Sequence, residues 1–159
     1  MNETYTIGIG EYRAAHNPCE LVTIGLGSCV GIALYDSRAK VGGLSHVMLP
    51  DSTQARNTNP GKFADTAIPL TIHDMMDIGA RKLRTIAKIA GGAHMFSGIK
   101  GNTMNIGERN IAAVKKKLTE EHIKIVAEDL GGSNGRTLRF DLVSGKVLVK
   151  TVRGVDKEL

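Results

Sequence analysis

Aromatic residues are scarce in this chain of 159 residues: tryptophan is absent, and phenylalanine and tyrosine occur three times each. Proteins that bind single-stranded nucleic acid stack the bases on aromatic rings. The net charge of +5 comes from basic residues that are scattered or stand together in "VKKKL" (114–118), without aromatic neighbours. We therefore do not expect a nucleic acid partner, and an acidic protein partner fits the charge at least as well.

Long apolar runs and cysteines are also few. No run reaches the roughly 18 apolar residues of a membrane-spanning helix, so we expect no insertion into a membrane. The first residues, "MNETYTIGIGEYR", lack the basic and apolar regions of a secretory signal. Two cysteines, Cys19 and Cys29, cannot build a disulfide framework. A cytoplasmic protein with a single domain over residues 1–159 is the simplest interpretation.

The pattern of apolar residues predicts more strands than helices. Helices are predicted over residues 64–82 and 108–122. Strands are predicted over residues 4–15, 20–25, 30–36, 41–49, 83–90, 123–129, 137–142 and 146–152. Because the strands come in hairpins rather than in regular β-α-β alternation, we expect an α+β fold. It would be a layered α/β sandwich with a mixed sheet built largely from hairpins and two main helices.

Cys29 stands at a glycine-rich joint between two predicted strands, in "GLGSCVG" (25–31). A cysteine at such a bend can be presented to a substrate as a nucleophile, or it can be buried as a small core residue. The free thiol has a pKa of about 8.5, so a nucleophilic role requires an imidazole within hydrogen-bond reach. The residues alone leave both interpretations open.

A predicted hairpin brings His46 towards this cysteine. If the hairpin closes symmetrically through "SRAK", its centre falls between Arg38 and Ala39, and His46 pairs with Gly31. Cys29 and Gly31 share a face because residues two apart on a strand point the same way. His46 then lies one diagonal step from Cys29, roughly 7 to 8 Å between backbones. A register slip of one residue would move His46 to the opposite face.

Two further features can complete a site around the cysteine. Thr23, the nearest polar side chain in the preceding strand, can accept a hydrogen bond from the N–H of the second imidazole nitrogen and so fix the tautomer of His46. Threonine is also an ordinary strand residue. The backbone N–H groups of Ser28 and Cys29 in the bend can hold an oxyanion. Glycine serves a plain strand bend in the same way.

Other candidate sites are poorly supported by their spacing. His73 stands near Asp74 and Asp77 in the first predicted helix, but without a second histidine or cysteine at matching spacing we predict no metal site. "GGSNGR" (131–136) lacks a Lys-Ser/Thr pair and leads into a strand, which excludes a phosphate loop. We therefore expect no cofactor. Cys19 has no nearby base and is interpreted as incidental.

Six motifs follow one another from about residue 7 to residue 152: "TIGLGSCVGIALYD", "HVMLPDS", "KFADTA", "AKIAGGAHMF", "MNIGERN" and "AEDLGGSNGRT". Together they resemble the CheD family, the chemoreceptor glutamine deamidases of bacterial and archaeal chemotaxis. The resemblance implies a fold similar to the catalytic domain of the deamidating cytotoxic necrotizing factor toxins. It also implies that Cys29 is the nucleophile, His46 the general base and Thr23 the residue that orients His46.

The activity implied is that of a cysteine-dependent amidohydrolase, a protein-glutamine glutaminase. It would hydrolyse selected glutamine side-chain amides of methyl-accepting chemotaxis receptors to glutamate and ammonia through a thioester. The phosphatase CheC is the partner implied, over the active-site face, with Phe96 in "AHMFSG" a candidate contact. Two alternatives remain open: a cysteine hydrolase or transamidase with another substrate, and a receptor- and CheC-binding adaptor in which catalysis is secondary.

Overall fold

The computed structural model describes residues 2–53, 59–95, 105–152 and 154–159. The α-helices within these ranges are α1 (Ala64–Asp77) and α2 (Ile106–Glu120). The strands are β1 (Glu3–Thr6), β2 (Tyr12–His16), β3 (Cys19–Leu26), β4 (Val30–Asp36), β5 (Val41–Val47), β6 (Ile86–Gly91), β7 (Lys124–Leu130), β8 (Arg136–Asp141), β9 (Val147–Thr151) and β10 (Lys157–Glu158). Neither helix has the length and apolar character that crossing a membrane requires.

The strands form two mixed sheets of five strands each. The first sheet has the order β1-β3-β8-β9-β10 and the second the order β2-β5-β4-β6-β7. Strand β1 runs parallel to β3 and β6 parallel to β7, whereas the other pairs are antiparallel. The predicted layered α+β fold is confirmed, with the strands divided between two sheets instead of one.

The second sheet lies in the middle of the molecule and contributes to a core on each of its faces. Ile32 on one face packs in a cluster with Ile68 of α1 and Leu118 of α2. Tyr35 on the other face packs against Phe140 of the first sheet, with ring centroids 5.6 Å apart. All seven residues of β4 are therefore buried. The layers run first sheet, second sheet, helices.

The β4–β5 hairpin has the predicted register, and Gly31 pairs with His46. Asp36 at the end of β4 accepts hydrogen bonds from the backbone N–H groups of Arg38 and Ala39, at 3.0 and 3.2 Å. Such local carboxylate contacts hold the chain in a turn. The turn therefore lies where the symmetric hairpin predicted it.

Two predicted elements differ from the structure by more than three residues. The strand expected over residues 4–15 is two strands, β1 beside β3 in the first sheet and β2 beside β5 in the second. Gly10 has a φ of 76°, in the left-handed region that glycine adopts without strain, so the chain bends there between the sheets. The first helix ends at Asp77 rather than Lys82, since Gly79 has a φ of 111°.

Candidate active site

His46 points from the second sheet into the space between the two sheets. Its strand partner is Gly31, and a side chain added to Gly31 would meet Leu26 and Leu138 of the first sheet. Because directly paired residues face the same side, His46 faces the first sheet as well. The side chain is wholly buried. Its Nδ1 atom lies 2.6 Å from Oγ1 of Thr23.

Thr23 lies on β3, in the first sheet, and therefore contacts His46 across the sandwich. Thr23 is on the strand before Cys29, as predicted, and the bend after β3 carries the chain from the first sheet to the second. The Thr23 hydroxyl also donates to the carbonyl oxygen of Ile7 at 2.6 Å. A hydroxyl has one hydrogen to donate. Its oxygen must therefore accept the hydrogen bond from His46 Nδ1–H.

This hydrogen-bond pattern fixes the tautomer of His46. With the proton on Nδ1, the Nε2 atom carries a lone pair and can accept a proton. Nε2 is buried and has no hydrogen-bond partner within the described residues. Burial lowers the pKa of His46 to about 4, so the imidazole is neutral at pH 7. The site thus contains a neutral histidine with its basic nitrogen unoccupied.

Cys29 lies in the bend between β3 and β4, partly exposed to solvent. It packs against the core between the two sheets. His46 lies on the same side, which agrees with the prediction that the two residues share a face. Burial raises the pKa of the Cys29 thiol. At pH 7 both groups are therefore neutral in the free protein. A nucleophilic attack by Cys29 requires transfer of the thiol proton to a base during the reaction.

The backbone of the bend is held by the segment that follows β6. The carbonyl oxygen of Gly27 accepts from the N–H of Ala93 at 2.8 Å, and that of Cys29 accepts from Gly92 at 2.8 Å. Gly91 lies so close that a Cβ atom there would be 2.2 Å from the Cys29 carbonyl oxygen. A residue other than glycine does not fit beside Cys29.

The amide groups of Ser28 and Cys29 are candidates to hold an oxyanion. Neither N–H donates a hydrogen bond to a partner within the part of the chain that the structure describes. Both belong to the bend that presents the thiol. A negative oxygen formed on a substrate carbon bonded to the Cys29 sulfur would lie close to these two donors.

Asn110 is a polar residue at the site that the sequence interpretation missed. It lies on α2, wholly buried, and its Nδ2 donates to the carbonyl oxygens of Ser28 at 3.0 Å and Met48 at 3.1 Å. The available signal was a polar residue within the apolar stripe that Val114 and Leu118 continue along the helix. A buried asparagine on such a stripe needs hydrogen-bond partners, and these partners flank the reactive residues.

The remaining candidates lie elsewhere or outside the description. Phe96 is outside the described residues. Cys19 is buried, and its Sγ donates to the carbonyl oxygen of His16 at 3.3 Å. His73 lies on the exposed surface of α1, 3.6 Å from Asp74 and 3.5 Å from Asp77, and Asp77 has the i,i+4 spacing of neighbours on a helix face. The prediction that no metal binds there stays a prediction.

Comparison with known proteins identifies relatives that match most of the chain. A family model described as "CheD chemotactic sensory transduction" matches residues 48–151. A protein of Clostridium botulinum (strain Eklund 17B), named "Probable chemoreceptor glutamine deamidase CheD", is 56% identical over 153 residues, which cover 95% of this chain and 94% of that protein. A protein of the same name from Desulforamulus reducens is 52% identical, with coverage of 95% and 92%. The similarity therefore extends over nearly the whole length of these proteins.

Proposed function

The chain belongs to the CheD family, and we propose that it deamidates glutamine side chains of chemoreceptors through Cys29, His46 and Thr23. The observation that carries this assignment is the contact of 2.6 Å between Thr23 Oγ1 and His46 Nδ1. Because the Thr23 hydroxyl donates to Ile7, this contact leaves the lone pair of His46 Nε2 available as a base, and Cys29 packs against the core between the same two sheets. The products of the reaction are glutamate and ammonia.

Acylation begins when the substrate amide lies against Cys29. The thiol gives its proton to His46 Nε2 while the sulfur attacks the amide carbon, and the carbonyl oxygen becomes an oxyanion. The N–H groups of Ser28 and Cys29 stabilise that oxyanion. His46 then gives its proton to the nitrogen, the carbon–nitrogen bond breaks and ammonia leaves. The substrate remains joined to Cys29 as a γ-glutamyl thioester.

Deacylation uses the same groups with water as the nucleophile. His46 Nε2 takes a proton from water, whose oxygen attacks the thioester carbon and forms a second oxyanion. The carbon–sulfur bond breaks, the sulfur recovers a proton from His46, and the substrate leaves as glutamate. Thr23 accepts the hydrogen bond from His46 Nδ1–H throughout, so the imidazole ring keeps its orientation in both half-reactions.

The family assignment supports the following proposed partners. The proposed substrate region is the helical cytoplasmic part of methyl-accepting receptors, so we propose that the reaction takes place in the cytoplasm. CheC phosphatase is a second proposed partner, which would cover the active-site face and compete with the receptor, and Phe96 is a candidate contact. The positive net charge of +5 favours an acidic partner surface.

The test is incubation of the purified protein with a receptor cytoplasmic fragment, followed by peptide mass measurement at each glutamine. We expect conversion of a few defined glutamines to glutamate, and no conversion by the Cys29→Ala variant. Cys19→Ala is the matched control, since Cys19 is buried away from His46, and it should retain the activity. Binding of the fragment without conversion by the native protein would instead indicate an adaptor.

A further inference from the structure

Asn110 links the two segments that carry the reactive side chains. Its Nδ2 hydrogens go to the carbonyl oxygen of Ser28, immediately before the nucleophile, and to that of Met48, two residues after His46. The side chain is wholly buried, and its Oδ1 has no hydrogen-bond partner within the described residues. The position of this amide is therefore determined by the two carbonyl groups that it holds.

Ser28 and Cys29 share a peptide plane, so a bond to one atom of the plane orients the other. The only cis peptide bond in the described ranges is Asn17–Pro18, so the Ser28–Cys29 bond is trans. In a trans peptide the carbonyl and the following N–H point in opposite directions. Helix α2 packs on the face of the second sheet that is turned away from the first sheet. A Ser28 carbonyl held by α2 therefore points the Cys29 N–H away from α2, towards the side of His46.

We infer that Asn110 is a positioning residue for the reaction, which orients the Cys29 N–H towards the oxyanion by holding the Ser28 carbonyl. This inference rests on the proposed function. The neighbouring carbonyls of Gly27 and Cys29 are held by backbone N–H groups, whereas Ser28 is held by a side chain. The second hydrogen bond of Asn110, to the Met48 carbonyl at the end of β5, holds the side-chain amide in place. The Ser28–Cys29 peptide plane therefore cannot rotate while keeping its bond to Asn110.

The test compares Asn110→Ala with Val114→Ala in the receptor-fragment assay. Val114 lies one turn further along α2, wholly buried among apolar residues, so its truncation loosens the same helix without touching the bend. Removal of an oxyanion donor costs about 100- to 1,000-fold in kcat, and a misdirected donor should cost less. We expect kcat to fall about 10- to 100-fold in Asn110→Ala with KM within about threefold, and both constants within about threefold in Val114→Ala.

A second measurement distinguishes two causes of a lower kcat: a misoriented Cys29 N–H and a general loosening of the site. Alkylation of Cys29 by iodoacetamide uses the thiol and His46 but forms no oxyanion, so its rate should stay within about threefold of the native rate in Asn110→Ala. If that variant does not fold, Asn110→Ser replaces it, since the shorter side chain cannot hold both carbonyls. Thermal unfolding establishes which variants are folded.

The outcomes are distinguishable from failure of the proposed function itself. If the native protein converts no glutamine, the proposed function fails and Asn110 has no role in it. If the native protein is active and Asn110→Ala keeps its kcat, the inference is wrong. It is also wrong if iodoacetamide alkylation falls in parallel with kcat, since Asn110 would then support the thiol rather than the oxyanion donor.

Discussion

Thr23 gives His46 a hydroxyl oxygen, not a carboxylate, as the partner of its Nδ1–H. A carboxylate at that position would favour the charged imidazolium and raise the pKa of the ring. Burial without such a charge instead lowers the pKa of His46 to about 4 and raises that of the Cys29 thiol. The pair is therefore neutral before substrate binds, and in the proposed reaction the proton moves during the attack rather than before it.

The first prediction concerns the titration of His46. In the unfolded chain the imidazole binds a proton below about pH 6.5, whereas the folded protein does not until about pH 4. The unfolded state thus binds more protons in this interval, so the free energy of unfolding must fall as the pH is lowered from about 6.5 to about 4. The slope attributable to one group is at most about 1.4 kcal/mol per pH unit.

A matched variant isolates this contribution. His46→Gln removes the titrating group and leaves the other four histidines unchanged, so the difference in unfolding free energy between the two proteins reports on His46 alone. Denaturant titrations at several pH values between 4 and 8 give this difference. A difference that stays constant over the interval would show that His46 is not held neutral by the fold. Asp36, whose pKa is lowered from 3.8 to about 2 in the folded protein, contributes only from the lower edge of this window downward, and its contribution is common to both proteins.

At the scale of elements, the β4–β5 hairpin is the part of the site that the sequence predicts well. Its four-residue polar link and the Asp36 side chain fix the turn locally, so the register that pairs His46 with Gly31 follows from sequence symmetry. Alternation along the strands then correctly places Cys29 and His46 on one side. Local patterns are sufficient here because the interacting residues belong to one hairpin.

The division of strands between the two sheets was beyond the reach of such local patterns. The predicted strand over residues 4–15 would have been continuous, whereas the observed bend near Gly10 lets the Ile7 carbonyl meet Thr23 and the backbone of Glu11 meet His46. These contacts join residues far apart in the chain, and periodicity does not report on them. Asn110 was missed for the same reason, since its partners lie on other elements.

The close approach of the β6 end to the nucleophile bend gives a prediction at this scale. Gly91→Ala would place a Cβ atom 2.2 Å from the Cys29 carbonyl oxygen at a φ of 120°, and a backbone atom cannot move aside cheaply. We expect a loss of unfolding free energy above about 2 kcal/mol, because the left-handed backbone alone costs about 1–2 kcal/mol. Deamidation by the folded fraction should fall at least about tenfold, since the bend must shift.

Gly131→Ala is the control for this substitution. Gly131 also has a positive φ, 81°, but an added Cβ atom meets nothing within 4 Å. It should therefore show only the backbone cost of about 1–2 kcal/mol and keep the native rate of deamidation. Equal losses in the two variants, measured by denaturant titration and glutamine conversion, would contradict the proposed close fit at Cys29.

On the scale of the whole molecule, the site is assembled from all three layers. The first sheet contributes Thr23, the second sheet His46, and α2 holds the Ser28 carbonyl through Asn110. The connection between β3 and β4 crosses from the first sheet to the second and carries Cys29. The number of hairpins in the sequence predicts an α+β layered fold. The assembly of the candidate site from three layers depends on how the layers stack, which the sequence pattern does not report.

The central claim is that the reaction passes through a thioester on Cys29, and hydroxylamine tests it most directly. A thioester is attacked by hydroxylamine as well as by water, so the target glutamines should become a mixture of glutamate and hydroxamate, in a ratio set by the hydroxylamine concentration. Peptide mass distinguishes the two products at each glutamine. We predict that both products form with the native protein and that Cys29→Ala forms neither. Glutamate alone at every hydroxylamine concentration would contradict the account, since water would then attack the amide without a covalent intermediate.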